Sequence, residues 1–526
     1  MTYTSVSFLF FTLGCLLLYY CTPKKKRWGV LLAASLGFYG IVCYKNLWFM
    51  AFLVMTAATT YGGARLLGNY ITKTDKTLKE NKKTWEKAQK DAFKAKTTRK
   101  KKLICASVLV INFGVLCFLK YYNMLALTFG GSALKLFLPL GISFYTFQSM
   151  GYMIDIYRKK FEPEKNPLKF LLFVSFFPQI VQGPISFYSN LAGQLYEGHD
   201  FDFDNIKQGA LLIAWGFFKK MVIADTLVDG INLVANDHAS FSGTYVLTAA
   251  VFYALQLYAD FSGGVDISRG VSQMFGITLA ENFKRPYISR SISEYWRRWH
   301  ITLGAWLKEY LFYPIAMSKT FMNFSKWLKK HFGMKIAKVL PVSIASLITF
   351  IIIGIWHGAN WKYAAFGIWN GGIIMFSTLL EERFGKWKTA LKIKDTSKLF
   401  IAFQTVRTFL IVLVGYYFDI APDFSSAMEM MAKSVYDFHI TEYFSISFYK
   451  TLLISVRELA MVLAATGILA RVSYLQETSQ LTVRERVCKK GYVFESAVFV
   501  ALVFMAAVFG HYGPGTNPAD FYYMQF

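Results

Sequence analysis

"VLPVSIASLITFIIIGIWHGANW", residues 339–361, runs for 23 residues without a lysine, arginine, aspartate or glutamate. About 20 apolar residues in a helix cross the hydrocarbon core of a bilayer, so the stretch reads as a membrane span. Asn46–Ala64 and Leu103–Leu119 are free of the same four residue types. The whole chain of 526 residues is 55% hydrophobic, 18% aromatic and 17% charged, a balance too apolar for an ordinary soluble protein. Further candidate spans lie near 5–22, 28–43, 136–157, 168–182, 208–224, 244–260, 362–380, 399–418, 451–470 and 492–510, giving about 11 to 13 membrane segments. The expected fold class is all-α, a polytopic transmembrane helical bundle. No repeat of fixed period appears, and no soluble stretch is long enough to hold its own core, so residues 1–526 read as one membrane domain. The first apolar run has no basic segment ahead of it and no small-residue cleavage site after it, which makes it a first span rather than a leader.

The net charge of +26 raises the question of nucleic acid. Its distribution points to a membrane instead. Lys24–Arg27 follow the first span, and a basic segment at 67–102 carries, over 73–102, 13 Lys/Arg against 4 Asp/Glu. Basic loops remain on the cytoplasmic side, so both groups belong inside, and so do Arg158, Lys159 and Lys160. The short Tyr44–Asn46 link then faces outward, and the amino terminus is expected to be extracytoplasmic. The surplus charge fits attraction to anionic lipid headgroups, which makes membrane lipid the expected partner. Nucleic acid is not expected, because a basic patch serves there only on a soluble face. Six cysteines stand singly with no CxxC spacing and imply neither a metal site nor a disulfide framework.

An ionisable residue inside a bilayer is expensive, and it is either functional or a paired structural group. Of seven histidines, His199, His238, His331 and His439 sit among charged or loop-like residues, and His511 follows the last span. His357 lies near the end of the opening stretch, between Gly354 and Gly358. Glycines let a ligand approach closely and equally let helices pack, so both readings stand. His300 lies in "EYWRRWHITLGAW" (294–306). Read as one helix, Ile292, Tyr295, Trp296, Trp299, Leu303, Trp306 and Tyr310 recur at steps of three and four, an apolar stripe suited to the membrane interface with arginines toward phosphate and water. That accounts for Trp296, Arg297, Arg298 and Trp299 but not for His300. There is no GxSxG elbow, Walker loop, HExxH or CxxC pair. Imidazole is the commonest general base, and transfer from a thioester to a hydroxyl asks for a base, an oxyanion donor and a dry passage. The residues are compatible with that chemistry and with a proton relay alike.

"ENFKRPYISRSISEYWRRWHITLGAWLKEYLFYPI" (281–315) followed by "IIGIWHGANWKYAAFGIWNG" (352–371) resembles the membrane-bound O-acyltransferase (MBOAT) family. "LPLGISFYTFQSMGYMIDIYR" (138–158), "FFPQIVQGPI" (176–185), "YADFSGGVDISRG" (258–270) and the terminal "FYYMQF" agree with it. The similarity is greatest to the bacterial branch that acetylates exported polysaccharides, typified by the alginate O-acetylation membrane protein. The resemblance implies short or re-entrant helices around a central tunnel, a catalytic motif region at 281–371 and C-terminal transmembrane segments over 399–526. It implies that His357 is the catalytic histidine and His300 a second one, with Trp296, Arg297, Arg298 and Trp299 in support. It implies no bound cofactor and no metal, acyl-CoA (acetyl-CoA above all) or an acyl-carrier protein as donor, a polysaccharide acceptor, an extracytoplasmic acyltransferase partner and a place in the cell membrane.

Asp260, Ser262 and Asp266 line the passage or orient a histidine in one reading; in the other they cap a helix break with Gly263 and Gly264 as its turn. Asn360 is a partner for His357 or the oxyanion, or a helix cap. Arg407, Arg457 and Glu458 read as structural groups facing the bundle interior. D-alanyl transfer from a carrier protein to teichoic acid is an alternative. A lipid or protein acyltransferase is disfavoured by "RRWH". A transporter with an intramembrane histidine relay is the alternative of another class.

Overall fold

The structure, a computed structural model, describes residues 2–511; the terminal "FYYMQF" lies outside them. Among the described residues every regular element is helical. The chain divides into two compact units, Met1–Gly209 with Val271–Ala280, and Ala210–Gly270 with Glu281–Phe526.

The first unit is built from α1 (Val6–Cys21), α2 (Arg27–Val42), α3 (Phe49–Glu80), α4 (Lys87–Thr128), α5 (Ile142–Tyr157), α6 (Pro167–Ser175), α7 (Tyr188–Glu197) and the start of α8 (Phe203–Phe217). Local chemistry sets the starts. Ser5 accepts from the Phe8 amide at α1, Asn166 caps α6 with a proline in its first turn, and Glu86 with Gln89 closes a capping box at α4. Buried Tyr3, Phe8, Phe38 and Phe177 form an aromatic core, with Phe8 and Phe38 edge-on at 5.7 Å. Gly141 opens α5 with φ 72°, and a β-carbon there would lie 2.3 Å from the Ile180 carbonyl oxygen, so glycine is required in "LPLGISF". The basic segment at 67–102 is helical at both ends around a short link. α3 continues to Glu80, α4 begins at Lys87, and Asp75 pairs with Lys101 and Lys159.

The second unit holds the rest: a π-helical turn over Phe218–Ala224, α9 (Asp225–Asn236), most of α10 (Gly243–Met274), α11 (Ile292–Arg298), α12 (Ile301–Leu307), α13 (Tyr313–Ala316), α14 (Lys319–His357), α15 (Trp361–Leu379), α16 (Glu381–Ala390), α17 (Lys398–Ile420), α18 (Phe424–Tyr436), α19 (Ile446–Thr451), α20 (Val456–Thr478), α21 (Val483–Lys489) and α22 (Tyr492–Phe509). α14 is kinked at Gly333 (φ 84°), which separates its lysine-rich start from the apolar run. Past the kink it packs tightly on α15: a β-carbon on Gly354 would meet the Tyr363 carbonyl oxygen at 2.2 Å, so the two backbones touch.

Among the described residues five helices, α4, α14, α17, α20 and α22, are long and apolar enough to cross a membrane. A sixth is added if α15 and α16, bent by 59°, count as one broken span. The other expected segments include short helices, such as the 16-residue α1, α2 and α5. This is a multi-pass helical membrane protein. Arg407 and Arg457, expected to face inward, are exposed instead; Arg407 donates to the Arg290 carbonyl, and Glu458 closes the capping box of α20 with Ser455.

Candidate active site

Both histidines sit where a helix breaks. The single helix expected over 292–310 is interrupted at His300, which adopts a left-handed conformation (φ 44°, ψ 54°) between α11 and α12. An L-residue with a β-carbon pays about 1–2 kcal/mol for that conformation, and it persists only where the surroundings over-determine it. Here Asn282 does so. Its side-chain oxygen accepts from the Thr302 amide at 2.9 Å and the Thr302 hydroxyl at 2.8 Å, and its backbone carbonyl accepts from the Ile301 amide at 3.0 Å. Two residues on, the Lys284 amide donates to the Arg298 carbonyl at 2.9 Å. Residues 282–284 thus hold the turn from both sides.

His300 is 1% exposed and His357 9%. The His300 ring meets Phe261 of α10 edge-on at 4.8 Å and lies 6.3 Å from the Trp356 indole. Trp356 is 5.1 Å from its neighbour His357, which meets Phe366 edge-on at 5.5 Å. Phe261 and Trp356 therefore contact His300, and Trp356 and Phe366 contact His357. An apolar aromatic enclosure of this kind excludes water and strengthens any charge interaction inside it.

His357 is the last residue of α14. Gly358 follows in extended conformation with the Tyr363 ring against it; a β-carbon there would lie 2.1 Å from that ring. Asn360 starts α15 by accepting from the Lys362 amide at 3.0 Å, so of its two expected roles the structure places it as the helix cap. Lys362, which sequence reasoning missed, is buried and donates to the Asp419 and Ala421 carbonyls where α17 ends.

The supporting residues divide. Trp296 donates from its indole nitrogen to the Asn370 side-chain oxygen at 3.1 Å, and Trp299 is buried against Tyr295. Arg298 pairs with Glu294 at 2.9 Å and Glu477 at 2.8 Å, whereas Arg297 is exposed. The break expected at Asp260–Asp266 does not exist, because α10 is continuous through it. Gly263 serves close approach instead: a β-carbon there would lie 2.9 Å from the Gly216 carbonyl oxygen. The polar residues of that motif meet two lysines on the π-helical turn. Lys219 donates to Ser262 at 2.9 Å and Asp266 at 2.8 Å, and Lys220 reaches Asp260 at 2.6 Å and Asp225 at 2.7 Å. Asp266 also pairs with Arg269 at 3.2 Å. Both lysines were hidden within an apolar run in sequence; the adjacent pair in "GFFKKMVIAD" is the signal that could have found them.

A charged cavity of about 320 Å³ adjoins this ion-paired seam, lined by Lys219, Asp266, Arg269, Glu281, Arg285 and Glu477 among others. Burial, and then the Arg269 guanidinium, pull the nearby Arg484 below the usual arginine range. Phe283 lines the same cavity and packs edge-on against Phe261 at 4.9 Å and Trp299 at 5.0 Å. Phe283 of the cavity wall therefore reaches His300 through Phe261.

The profile of the MBOAT, membrane-bound O-acyltransferase family matches residues 41–325, more than half of the chain. That match includes His300 and ends before His357. A probable alginate O-acetylase of Azotobacter vinelandii is 31% identical over 448 residues, covering 82% of this chain and 77% of that protein. A peptidoglycan O-acetyltransferase of Helicobacter pylori is 32% identical over 295 residues, covering 50% of this chain and 53% of its own. A teichoic acid D-alanyltransferase of Bacillus subtilis is 28% identical over 283 residues, covering 53% and 67%. The chain belongs to the membrane-bound O-acyltransferase family. It is an O-acyltransferase.

Proposed function

We propose that the protein moves an acetyl group from a cytoplasmic thioester to a hydroxyl on the far side of the membrane, for O-acetylation of an extracytoplasmic polysaccharide. The observation that carries this reading is the pair of buried histidines beside Trp356, each at a helix break. An imidazole of His357 takes the acceptor hydroxyl proton as the oxygen attacks the thioester carbonyl carbon. The carbonyl becomes a tetrahedral oxyanion, the C–S bond breaks, and the thiolate leaves with a proton returned by the imidazolium. If His357 itself carries the acyl group, the same carbon passes first to its ring nitrogen and then to the hydroxyl. His300, held by Asn282, positions the reacting groups beside Trp356.

The donor is acetyl-CoA or an acyl-carrier protein, both anionic, and the basic cytoplasmic face expected from the net charge of +26 would attract either one. No resident cofactor takes part. The acceptor hydroxyl belongs to the polysaccharide or to an extracytoplasmic partner acyltransferase that completes the transfer. The protein then lies in the cell membrane with its amino terminus outside. The alginate O-acetylase likeness, over 82% of the chain, supports acetyl transfer above the D-alanyl reading, whose relative covers 53%.

Cells carrying His357→Ala, His300→Ala or the unaltered chain, matched for membrane abundance, provide the test. Polysaccharide O-acetyl content should fall to background for His357→Ala; unchanged acetylation in both variants would sink the assignment. Labelled D-alanine in place of acetate on the product would redirect the donor.

A further inference from the structure

An apolar cavity of about 510 Å³ opens in the second unit, walled by Ile301, Leu307, Phe350 and Ile353 and edged by Arg297 and Lys308. Its wall at Thr349–Ile353 belongs to the apolar run of α14, a helix long and apolar enough to cross a membrane. Both cations are exposed. Arg298, next in the chain, is engaged by Glu294 and Glu477, whereas neither Arg297 nor Lys308 has a carboxylate partner among the described residues; Lys308 lies 5.6 Å from the Tyr313 ring. Two cations beside an apolar segment, without compensating anions, are expensive in a membrane. A ligand that relieves this cost carries a negative head, and one that also gains from the walls carries a hydrocarbon chain.

We propose that this cavity is a binding site for an anionic phospholipid, with the phosphate between Arg297 and Lys308 and one acyl chain along the Ile301, Leu307, Phe350 and Ile353 wall. The inference is independent of the acyl-transfer chemistry. A free phosphate satisfies the cations but gains nothing from the walls, and a zwitterionic lipid fills the walls but brings its own cation to the phosphate. Basic pockets between membrane helices bind lipid heads on this principle. Gly304, on α12 in the same cavity, leaves room for the chain: a β-carbon there would approach only the Trp296 carbonyl oxygen, at 3.8 Å.

The test uses the purified full chain in mild detergent, with retained lipid read by native mass spectrometry. The probes are phosphatidylglycerol, phosphatidylcholine, inorganic phosphate and a uronate oligosaccharide. Phosphatidylglycerol should be retained at least tenfold more than phosphatidylcholine. The double variant Arg297→Gln/Lys308→Gln should bind it roughly thirty-fold more weakly, as loss of two headgroup cations implies. Gly304→Leu, which fills the groove with both cations kept, should also weaken phosphatidylglycerol binding. Equal retention of the two lipids, full binding by the double variant, or displacement of phosphatidylglycerol by the oligosaccharide or by phosphate at equal concentration would each overturn the proposal. If the double variant aggregates, Gly304→Leu and the lipid comparison on the unaltered chain decide the matter.

Discussion

The ammonium of Lys362 donates to the backbone carbonyl of Asp419 at 3.0 Å. Five residues after His357, that bond ties the start of α15 to the end of α17 and so fixes the turn on which His357 ends. Lys362→Met should cost about 1–3 kcal/mol of stability, the price of losing a buried charged donor. It should also lower kcat for acetyl transfer while leaving KM for the donor close to its original value. Lys362→Arg, which keeps the charge and the donors, should recover most of both. Parallel changes in kcat and KM would mean that the lysine does not act through the turn.

His300 can be stripped of its chemistry without disturbing its backbone. Asparagine tolerates the left-handed region and β-branched residues do not. His300→Asn should therefore fold with a melting temperature near that of the unaltered chain and lose acetylation, whereas His300→Val should lose both, with a further stability cost of about 1–2 kcal/mol. Equal melting temperatures for the two variants would show that the conformation carries no strain.

Asn282 makes a separate prediction, because it acts on that turn without touching either imidazole in the contacts described. Asn282→Ala leaves the buried Thr302 amide and hydroxyl without their acceptor and should cost about 1–3 kcal/mol. Hydrogen exchange should rise at residues 299–303 more than across α14. A uniform rise would assign Asn282 to general stability.

Lys220 lies between two buried carboxylates. Lys220→Met strands Asp225 and Asp260 without their shared cation and should destabilise by about 3–5 kcal/mol, read as a lowered unfolding midpoint in detergent. Adding Asp260→Asn should return part of the loss, because one of the stranded charges is removed. Additive losses would mean that the groups do not interact.

The parts of this fold that sequence made legible are those set by local chemistry. α14 ends at His357, near the end of the apolar run at 339–361, and Asn360 stands at a helix start. What sequence obscured depends on distant partners. The stripe from Ile292 to Tyr310 is genuine, but Asn282 imposes a break that no periodicity within the stripe can show. Asp260, Ser262 and Asp266 resemble helix-breaking residues until Lys219 and Lys220 are seen opposite them. Gly263 resembles a turn glycine, although its missing side chain admits a neighbouring backbone instead. Charge alone does not bound the helices near residue 80, where helix-forming lysines extend α3 and α4 beyond their apolar parts.

Trp356 lies beside both imidazoles, 6.3 Å from one and 5.1 Å from the other. An indole's emission is quenched by a neighbouring protonated imidazole, so this side chain is a built-in optical reporter of the proton's whereabouts. The difference in fluorescence between the unaltered chain and Trp356→Phe isolates that one signal from the other tryptophans. Followed in stopped flow after thioester addition, it would time the proton's arrival at the histidine pair against the appearance of acylated product, without any label attached to the protein.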